Sequence, residues 1–513
     1  MHAALTTTTT ERAMTSRRRP LLAGLSLLGL LFAAGVGTGA EPAAEQRQDG
    51  SRSEQRPNIV LIIADDISWN DLGCYGHPTL KTPHLDALAT NGVRFTQAYL
   101  TTSSCSPSRC SIITGRYPHN TGAPELHTPL PEGQFLFPEA LQQSGYYTVL
   151  SGKHHMGGTN SYASTGFDKI SKGEGPGKEE DWVQMLRERP KDRPFFAWFA
   201  AVDAHRPWQY DEHAPRYETD QVVIPPYLID NEATREDLTG YYHEVSRLDH
   251  YVGQVREELE RQQIADNTMI CFIADNGRPF PRCKTRLYDS GIKTPMLVAW
   301  PDRVTPAVTD SLVSVIDLAA TFLDAAGLPA SEPAQGVSLM PVLEDSDAVV
   351  REIAFAEHNW HVYQNHERMV RFGDYLYIRN HLADQANLCK EAYMGGAGES
   401  LLTAHREGSL DPEQQMVFRC PTPAEELFRV SSDPHQLENL VDQGEHAAAL
   451  ATARQLLDQW MAETADDVPT DLTPDRDARP DGEDPGEFRR GVFPGARLNA
   501  TNVDQPGPIW LSR

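Results

Sequence analysis

Continuous apolar runs separated by amphipathic stretches dominate the first two thirds of the chain. The run at 58–64 is apolar and rich in β-branched residues, and similar runs occur at 146–150, 195–201, 268–274 and 296–300. Such runs are typical of strands buried on both faces of a parallel sheet. Between them, residues 234–262 carry apolar side chains at three- and four-residue steps, which predicts a helix with one face in the core. Strands that alternate with helices predict a doubly wound α/β domain with a mostly parallel central sheet.

The pattern changes after residue 345. Short strand-like pieces such as 375–378 lie among many His and Asn residues, and a helix is predicted at about 444–464. From Asp466 onward the chain is rich in Asp, Pro, Gly and Arg, a composition that favours irregular or partly disordered structure. We therefore predict a main α/β domain at 57–345, a smaller C-terminal α+β subdomain at 346–465 and an irregular tail at 466–513.

Residues 1–40 have the pattern of a signal peptide. Three arginines, at 17–19, precede the apolar run 21–36, and small residues at 38–40 offer a cleavage site before Glu41. A membrane anchor is the alternative, although the run is short for a spanning helix. A polar linker follows at 41–56, and no later segment is long and apolar enough to span a bilayer. We expect a periplasmic or secreted protein without stable membrane insertion.

Charge and cysteine content narrow the classes of function. The formal net charge of the 513-residue chain is −26, which argues against nucleic-acid binding because that needs a basic face. A polyanionic substrate would require a local cationic pocket.

With Cys105 set aside, six of the seven cysteines remain and their pairing cannot be deduced from sequence. Cys389 and Cys420 flank one insertion-like stretch and are the favoured disulfide, whereas Cys110 and Cys271 are predicted to be buried thiols.

Oxygen-bearing side chains follow two of the predicted strands. Asp65 and Asp66 come directly after the first strand, and Asp275 and Asn276 come directly after the run at 268–274. Open α/β sheets place their ligands at the carboxyl ends of strands, and carboxylate and amide oxygens suit Ca²⁺ or Mg²⁺. A solvated Asp-Asp turn is the ordinary alternative for the first pair.

The segment 105–109 (CSPSR) carries the most specific chemistry. A cysteine at the start of a proline-containing helix is the ordinary explanation. The segment also resembles the C-x-P-S-R sequence of type I sulfatases, in which the cysteine is oxidised to formylglycine and the aldehyde hydrate attacks sulfate esters. Other segments resemble the same family in the same order along the chain: 72–76, 82–86, 152–157 (GKHHMG), 203–208 (DAHRPW), 336–341 and 427–440.

The resemblance implies an alkaline-phosphatase-like fold and a role for each of these side chains. Oxidised Cys105 would complete a Ca²⁺ site, with Mg²⁺ as the alternative, whose other ligands are Asp65, Asp66, Asp275 and Asn276. Arg109 would hold the hydrate, Lys153 would contact its hydroxyl, His155 would accept its proton, His205 would protonate the leaving group and Lys284 would bind sulfate oxygens. The implied partners are a sulfated saccharide substrate and a formylglycine-generating or anaerobic sulfatase-maturating enzyme.

A finer resemblance points to the sulfamidase, or heparan N-sulfatase, branch. It is carried by the segments 153–155, 225–230 and 275–281. Sulfamidases carry Arg at the position of Lys284, so hydrolysis of an O-sulfate and of an N-sulfate both remain open. Candidate saccharide contacts, with ordinary polar packing as the alternative, are Arg206, Trp208, His358, Trp360, His361, His366 and Arg368.

Two other functions compete with a sulfatase. A phosphonate monoester or phosphodiester hydrolase of the same superfamily would use the same aldehyde and metal. A non-catalytic carbohydrate-binding protein would lack a catalytic group, and none is missing from the sequence.

Overall fold

An eight-stranded sheet forms the centre of the computed structural model, which describes residues 56–476 and 489–511. The predicted signal peptide and all of the predicted linker except Arg56 lie outside the described residues. The strands of the sheet are β1 (Asn58–Ala64), β2 (Val93–Tyr99), β3 (Tyr147–Gly152), β4 (Lys169–Ser171), β5 (Phe195–Ala200), β6 (Thr268–Ala274), β7 (Met296–Ala299) and β8 (Ala307–Ser314). Their spatial order is β4-β3-β5-β1-β6-β7-β2-β8.

Most neighbours in this sheet are parallel. β7 runs antiparallel to β6 and to β2, and the other five pairings are parallel. Every residue of β1, β5 and β6 is buried, as expected for strands covered on both faces. The five strands predicted from apolar runs are confirmed, and so is the doubly wound, mostly parallel sheet.

Twelve α-helices accompany the sheets in the described residues. They are α1 (Pro83–Thr90), α2 (Cys105–Thr114), α3 (Pro118–Thr121), α4 (Phe137–Gln143), α5 (Trp182–Glu188), α6 (Glu232–Arg261), α7 (Asp289–Ile292), α8 (Asp317–Ala325), α9 (Met340–Glu344), α10 (Gly396–Glu407), α11 (Pro412–Gln415) and α12 (Ala447–Glu463). The long helix predicted from the apolar stripe is α6, which begins after Asn231, whose side chain accepts a hydrogen bond from the Thr234 amide at 2.9 Å. This cap satisfies one of the free N–H groups of the first turn.

A smaller antiparallel sheet follows the central one. Its strands are β9 (Ile353–His358), β10 (Glu367–Phe372), β11 (Tyr375–Asn380) and β12 (Glu425–Arg429), in the order β12-β11-β10-β9. The helix α12 packs on this sheet through Leu450, Leu457 and Trp460. This is the predicted smaller C-terminal α+β portion. All described residues belong to a single compact unit, and none of their helices combines the length and apolarity needed to cross a bilayer.

The favoured disulfide is not formed. All seven cysteines lie in described residues and carry free thiols. Cys389 is buried inside an apolar cluster, whereas the exposed Cys420 donates to the carbonyl oxygen of Asp384 at 3.3 Å. The two side chains therefore have separate environments, and the pairing predicted for them is wrong. Cys110 and Cys271 are buried, as predicted.

The described part of the tail is irregular apart from two short 3₁₀ turns, Ala496–Leu498 and Ala500–Asn502. It is joined to the second sheet by a buried ion pair. Arg368 on β10 donates to Asp466 through Nε at 2.5 Å and through Nη2 at 2.8 Å. Both side chains are fully buried, so water solvates neither charge and each depends on the other for stabilisation.

We expect Asp466→Ala to lower the free energy of unfolding by about 3–5 kcal/mol, because it leaves the Arg368 guanidinium buried without its carboxylate. Urea denaturation followed by circular dichroism measures this loss. Asp471→Ala is the control, since Asp471 pairs with Arg489 at the surface, where the loss should stay below about 1 kcal/mol. Equal losses for the two variants would contradict the assigned role of the buried pair.

Candidate active site

Four adjacent strands of the central sheet deliver most of the predicted site residues. The strands are β3, β5, β1 and β6, which are parallel, so their carboxyl ends meet at one edge. Lys153 follows β3, His205 follows β5, Asp65 and Asp66 follow β1, and Asp275 and Asn276 follow β6. The order of the strands in the sheet therefore brings together residues that lie far apart in sequence.

Cys105 faces this edge from the first turn of α2. The helix is buried along its whole length, and the Cys105 thiol donates to Asp66 Oδ1 at 3.9 Å. Burial raises the pKa of the thiol well above its ordinary value, despite Lys153 and Lys284 nearby. An unmodified Cys105 is therefore protonated at neutral pH, and a protonated thiol is a poor nucleophile.

Three buried carboxylates each hold one cation. The ammonium group of Lys153 contacts Asp65, and Lys284 Nζ lies 2.9 Å from Asp66 Oδ2. Arg109 donates through Nε to Asp275 Oδ2 at 2.8 Å and through Nη1 to the Lys153 carbonyl at 2.9 Å. Burial alone would raise the pKa of Asp65, but Lys153 and the other cations lower it. The charges of these six residues balance.

The residues present fit a divalent metal ion. One ligand atom each of Asp65, Cys105 and Asp275 lie within 4.8 Å of one another. Asp65 Oδ1 and Asn276 Oδ1 are buried and have no hydrogen-bond partner. Buried oxygens without a donor are costly unless a cation or water satisfies them. An oxygen-rich donor set of this kind suits a hard cation such as Ca²⁺ or Mg²⁺.

The two predicted catalytic histidines have opposite surroundings. Burial, Lys153 and Arg109 lower the pKa of His155, whose Nδ1 is buried without a partner. His205 Nδ1 faces the Arg206 carbonyl oxygen at 2.7 Å, and its Nε2 lies 2.6 Å from Glu391 Oε1. Burial and Lys284 act to lower the pKa of His205, but Asp66 and Glu391 outweigh them and raise it. Both nitrogens of His205 face acceptors, which fits a protonated ring.

Glu391 is a site residue that the sequence did not reveal. It belongs to the 3₁₀ turn Lys390–Tyr393, in the loop between β11 and β12. Its carboxylate contacts Lys284 at 2.9 Å, His205 at 2.6 Å and His361 at 3.1 Å. No motif of the sequence singles it out, because the contact with Lys284 spans 107 residues.

A cavity of about 430 Å³ opens over Cys105. His155, His205, His361 and Glu391 line it, together with Leu126, His127, Val362, Lys390, Met394 and Arg476. This volume lies within the usual range of small-ligand pockets.

Of the candidate saccharide contacts, His361 lines the cavity and the others pack elsewhere. Arg206 and Trp208 both donate to Asp237, and Arg368 pairs with Asp466. Trp360 donates to the Pro474 carbonyl, while the rings of His366 and His381 are in contact. His358 is fully buried. Each of these six side chains has packing contacts within the protein, and its contact with a saccharide stays a prediction.

The comparisons with known proteins agree with this geometry. The family model described as Sulfatase matches residues 57–328, and the model described as N-sulphoglucosamine sulphohydrolase, C-terminal, matches residues 283–380. The first match covers more than half of the chain, so the chain belongs to the sulfatase family. The second match, together with the human relative described next, places it near the sulfamidase branch.

Two curated relatives span most of the chain. An ulvan-active sulfatase of Formosa agariphila is 29% identical over 81% of this chain and 76% of its own. Human N-sulphoglucosamine sulphohydrolase is 28% identical over 80% of this chain and 90% of its own. Among solved structures, phosphonate monoester hydrolase of Agrobacterium radiobacter superposes with a TM-score of 0.59 at 19% identity, covering 79% of this chain and 95% of its own. The fold is alkaline-phosphatase-like, as predicted.

Binding of a divalent cation should stabilise the folded chain, because the unfolded chain lacks the assembled site. We expect Ca²⁺ to raise the Tm of chelator-treated protein, with a stabilisation of about 2.7 kcal/mol at a hundredfold excess over Kd. Asp65→Asn should abolish the shift, whereas Asp458→Asn, a change at an exposed side chain, should preserve it. Differential scanning calorimetry with Ca²⁺ and with Mg²⁺ measures both the shift and the preferred ion. A full shift in Asp65→Asn would exclude this site.

Glu391→Ala should lower kcat/KM by about 10- to 100-fold, because Lys284 and His205 lose a shared, charge-assisted acceptor worth about 1.5–3 kcal/mol. Steady-state kinetics with an aryl sulfate measure the effect. Glu407→Ala is the matched control, since Glu407 is exposed at the end of α10. An unchanged kcat/KM in Glu391→Ala would show that the carboxylate does not position the catalytic groups.

Proposed function

We propose that this sulfatase hydrolyses the sulfate esters or N-sulfates of sulfated saccharides, using Cys105 converted to formylglycine and a bound divalent cation. Ca²⁺ is the preferred ion and Mg²⁺ the alternative. One observation carries the proposal: Cys105 lines one cavity together with His155 and His205, and its side chain interacts electrostatically with three buried cations, Lys153, Lys284 and Arg109. The burial of Cys105 supports the modification, because it leaves the unmodified thiol protonated.

A formylglycine at position 105 and a bound divalent cation would supply a nucleophile and positive charge. The hydrate of the aldehyde would provide one hydroxyl for attack on sulfur and a second whose deprotonation would release sulfate, and the cation would offset negative charge on the sulfate oxygens. The chain orients these groups through fixed donors. Asp275 holds the guanidinium of Arg109 rigid beside residue 105, and a fork of this kind suits two hydroxyls better than lysine does. Lys153 and Lys284 stabilise charge that develops on the non-bridging oxygens.

The two histidines divide the proton transfers between them. His205 holds a proton between Glu391 and the Arg206 carbonyl, and it donates that proton to the departing oxygen or nitrogen. His155 is neutral and accepts the proton of the second hydroxyl. Environments that push two titratable groups in opposite directions support this assignment of acid and base.

The names of the relatives support a saccharide substrate. One relative is an ulvan-active sulfatase and another is an N-sulphoglucosamine sulphohydrolase.

We further propose that the chain is exported, on the pattern of residues 1–40, and that it meets a formylglycine-generating or anaerobic sulfatase-maturating enzyme before it folds. Fractionation that finds the mature protein in the cytoplasm would contradict the export proposal.

Protein made together with a formylglycine-generating enzyme should carry a modified tryptic peptide 95–109. We expect this peptide to be lighter than encoded and to react with a hydrazide, because an aldehyde replaces the thiol. The same protein should release sulfate from members of a panel of defined O- and N-sulfated saccharides. Mass spectrometry and sulfate release by ion chromatography are the measurements.

Cys105→Ala should reduce sulfate release to background, and Cys420→Ser, a change at an exposed thiol, should leave it unchanged. Each saccharide is assayed beside a phosphodiester and a phosphonate monoester. Faster turnover of either phosphorus substrate would show that the main activity is that of a phosphonate monoester or phosphodiester hydrolase and not that of a sulfatase. Full activity with an unmodified Cys105 thiol would overturn the mechanism.

A further inference from the structure

Three side chains beside the active-site cavity form a second group of potential metal ligands. They are His361, Cys389 and Glu391, and one ligand atom of each lies within 4.8 Å of the other two. This group shares no residue with the donor set around Asp65 that fits Ca²⁺ or Mg²⁺. Cys389 has no role in the proposed function, so the group needs a different explanation.

Two loops bring these ligands together. His361 lies in the loop between β9 and β10, whereas Cys389 and Glu391 lie in the loop between β11 and β12. His361 Nε2 and Glu391 Oε2 are 3.1 Å apart. Two ligands that each lie about 2.0–2.1 Å from a tetrahedral zinc ion are separated by roughly 3.3 Å. The imidazole and the carboxylate therefore have the spacing that one shared ion requires.

The second nitrogen of His361 has a partner of its own. Its Nδ1 lies 2.7 Å from Ser104 Oγ. When Nδ1 carries the proton of the neutral ring, it donates to Ser104, and the lone pair of Nε2 faces Glu391. Metal-ligating histidines commonly donate their other N–H to an oxygen in this way, which fixes the tautomer and the orientation of the ring. Ser104 thus supplies the contact that supports His361 as a ligand.

The environment of Cys389 suits a sulfur that binds a metal ion. Its side chain is 2% exposed. Burial raises the pKa of the free thiol to about 12, while the backbone amides of Ala392 and Glu391 act in the opposite direction. A divalent ion displaces the proton of a thiol to solvent, and the sulfur then binds as the thiolate. Amide N–H groups that donate to the sulfur stabilise this negative charge.

The donors identify the class of metal ion. Thiolate and imidazole ligands favour Zn²⁺ over hard cations such as Ca²⁺, and three protein ligands leave a fourth position for water. His361 and Glu391 also line the cavity of about 430 Å³, which gives an ion a path from solvent to these ligands.

We propose that His361, Cys389 and Glu391 form a zinc site, and that Zn²⁺ bound there inhibits the enzyme from the wall of the active-site cavity. Glu391 connects the two effects. Its Oε2 would bind the ion, while its Oε1 contacts Lys284 at 2.9 Å and His205 at 2.6 Å. A cation on the same carboxylate weakens the negative charge that holds the proton of His205. The zinc site itself does not depend on the proposed function, whereas the inhibition rests on it.

The binding test uses full-length Cys105→Ala protein with Ca²⁺ in excess, so it is independent of the modification, of the activity and of the Cys105 thiol. Isothermal titration calorimetry with Zn²⁺ should show one site. Addition of Cys389→Ala should weaken Zn²⁺ binding by at least about a hundredfold, because loss of an outer hydrogen bond to a ligand already costs about 10- to 100-fold. Cys271→Ala is the matched control, since it removes another fully buried thiol, in β6, and Kd should change less than twofold.

Co²⁺ provides a spectroscopic test of the sulfur ligand. Co²⁺ in place of Zn²⁺ should give the ultraviolet charge-transfer absorption of a thiolate ligand, and Cys389→Ala should abolish it. His361→Gln should also weaken Zn²⁺ binding by at least about a hundredfold, and it provides a second variant if Cys389→Ala does not fold. Equal Zn²⁺ affinity in Cys389→Ala and Cys271→Ala, or a Co²⁺ complex without that absorption, would overturn the site.

The inhibition is tested on protein that carries the modified Cys105, again with Ca²⁺ in excess. Saturating Zn²⁺ should lower kcat/KM for an aryl sulfate about tenfold, the lower end of the loss expected for Glu391→Ala. In Cys389→Ala the same Zn²⁺ concentration should change kcat/KM less than twofold. Equal inhibition of both proteins would contradict the inhibitory role, because Zn²⁺ would then act at another place. If wild-type protein releases no sulfate even without Zn²⁺, the proposed function fails, and calorimetry still decides the zinc site.

Discussion

The site depends on the compensation of buried charge at one edge of the central sheet. Asp65, Asp66 and Asp275 are fully buried, and each would be unstable as a carboxylate without a nearby cation. Lys153, Lys284 and Arg109 supply these cations. The same ion pairs orient the side chains that act on the substrate, so stability and chemistry use the same contacts. Removal of one member leaves a partner both unpaired and misplaced.

Two side chains at this edge of the sheet each use one polar atom within the protein and keep an oxygen without a hydrogen-bond partner, so the same edge could hold both protein cations and a metal ion. Asp65 uses Oδ2 for Lys153 and leaves Oδ1 without a partner. Asn276 donates through its amide nitrogen to Asp66 and leaves Oδ1 without a partner. The oxygens left over are those that a hard cation would require. In this site some polar atoms pair with cations or hydrogen-bond donors of the protein, and the two oxygens without a partner are the ones that could ligate a metal ion.

Sequence patterns predicted the parts of the structure that depend on local burial. The runs that became β1, β3, β5 and β6 are mostly apolar. The site residues Asp65, Lys153 and Asp275 come directly after β1, β3 and β6. The pattern did not predict β2 and β8, because polar residues such as Arg94, Gln97 and Asp310 interrupt them near one border of the sheet.

Long-range polar contacts were the part that the sequence did not predict. Glu391 reaches the site across 107 residues, and the tail attaches through specific pairs such as Arg368 with Asp466 rather than through an apolar face. The tail has the composition of a segment without a core of its own, and contacts of its described residues such as Thr473 and Asp466 are made to other elements. Composition indicates that the tail has no hydrophobic core of its own, but it does not indicate which residues of the chain the tail contacts.

The position of the tail also sets the order in which the enzyme is assembled during synthesis. The Thr473 hydroxyl donates to Glu125, 348 residues away and next to Leu126 of the cavity wall, so this part of the wall is incomplete until nearly the whole chain has been made. At about 5–20 residues per second, synthesis of that interval takes roughly 20–70 s. Cys105 is 2% exposed once the chain has folded. During this delay residues 105–109 have been synthesised and the pocket above them is still unfinished, which is the state that the proposed modification would require.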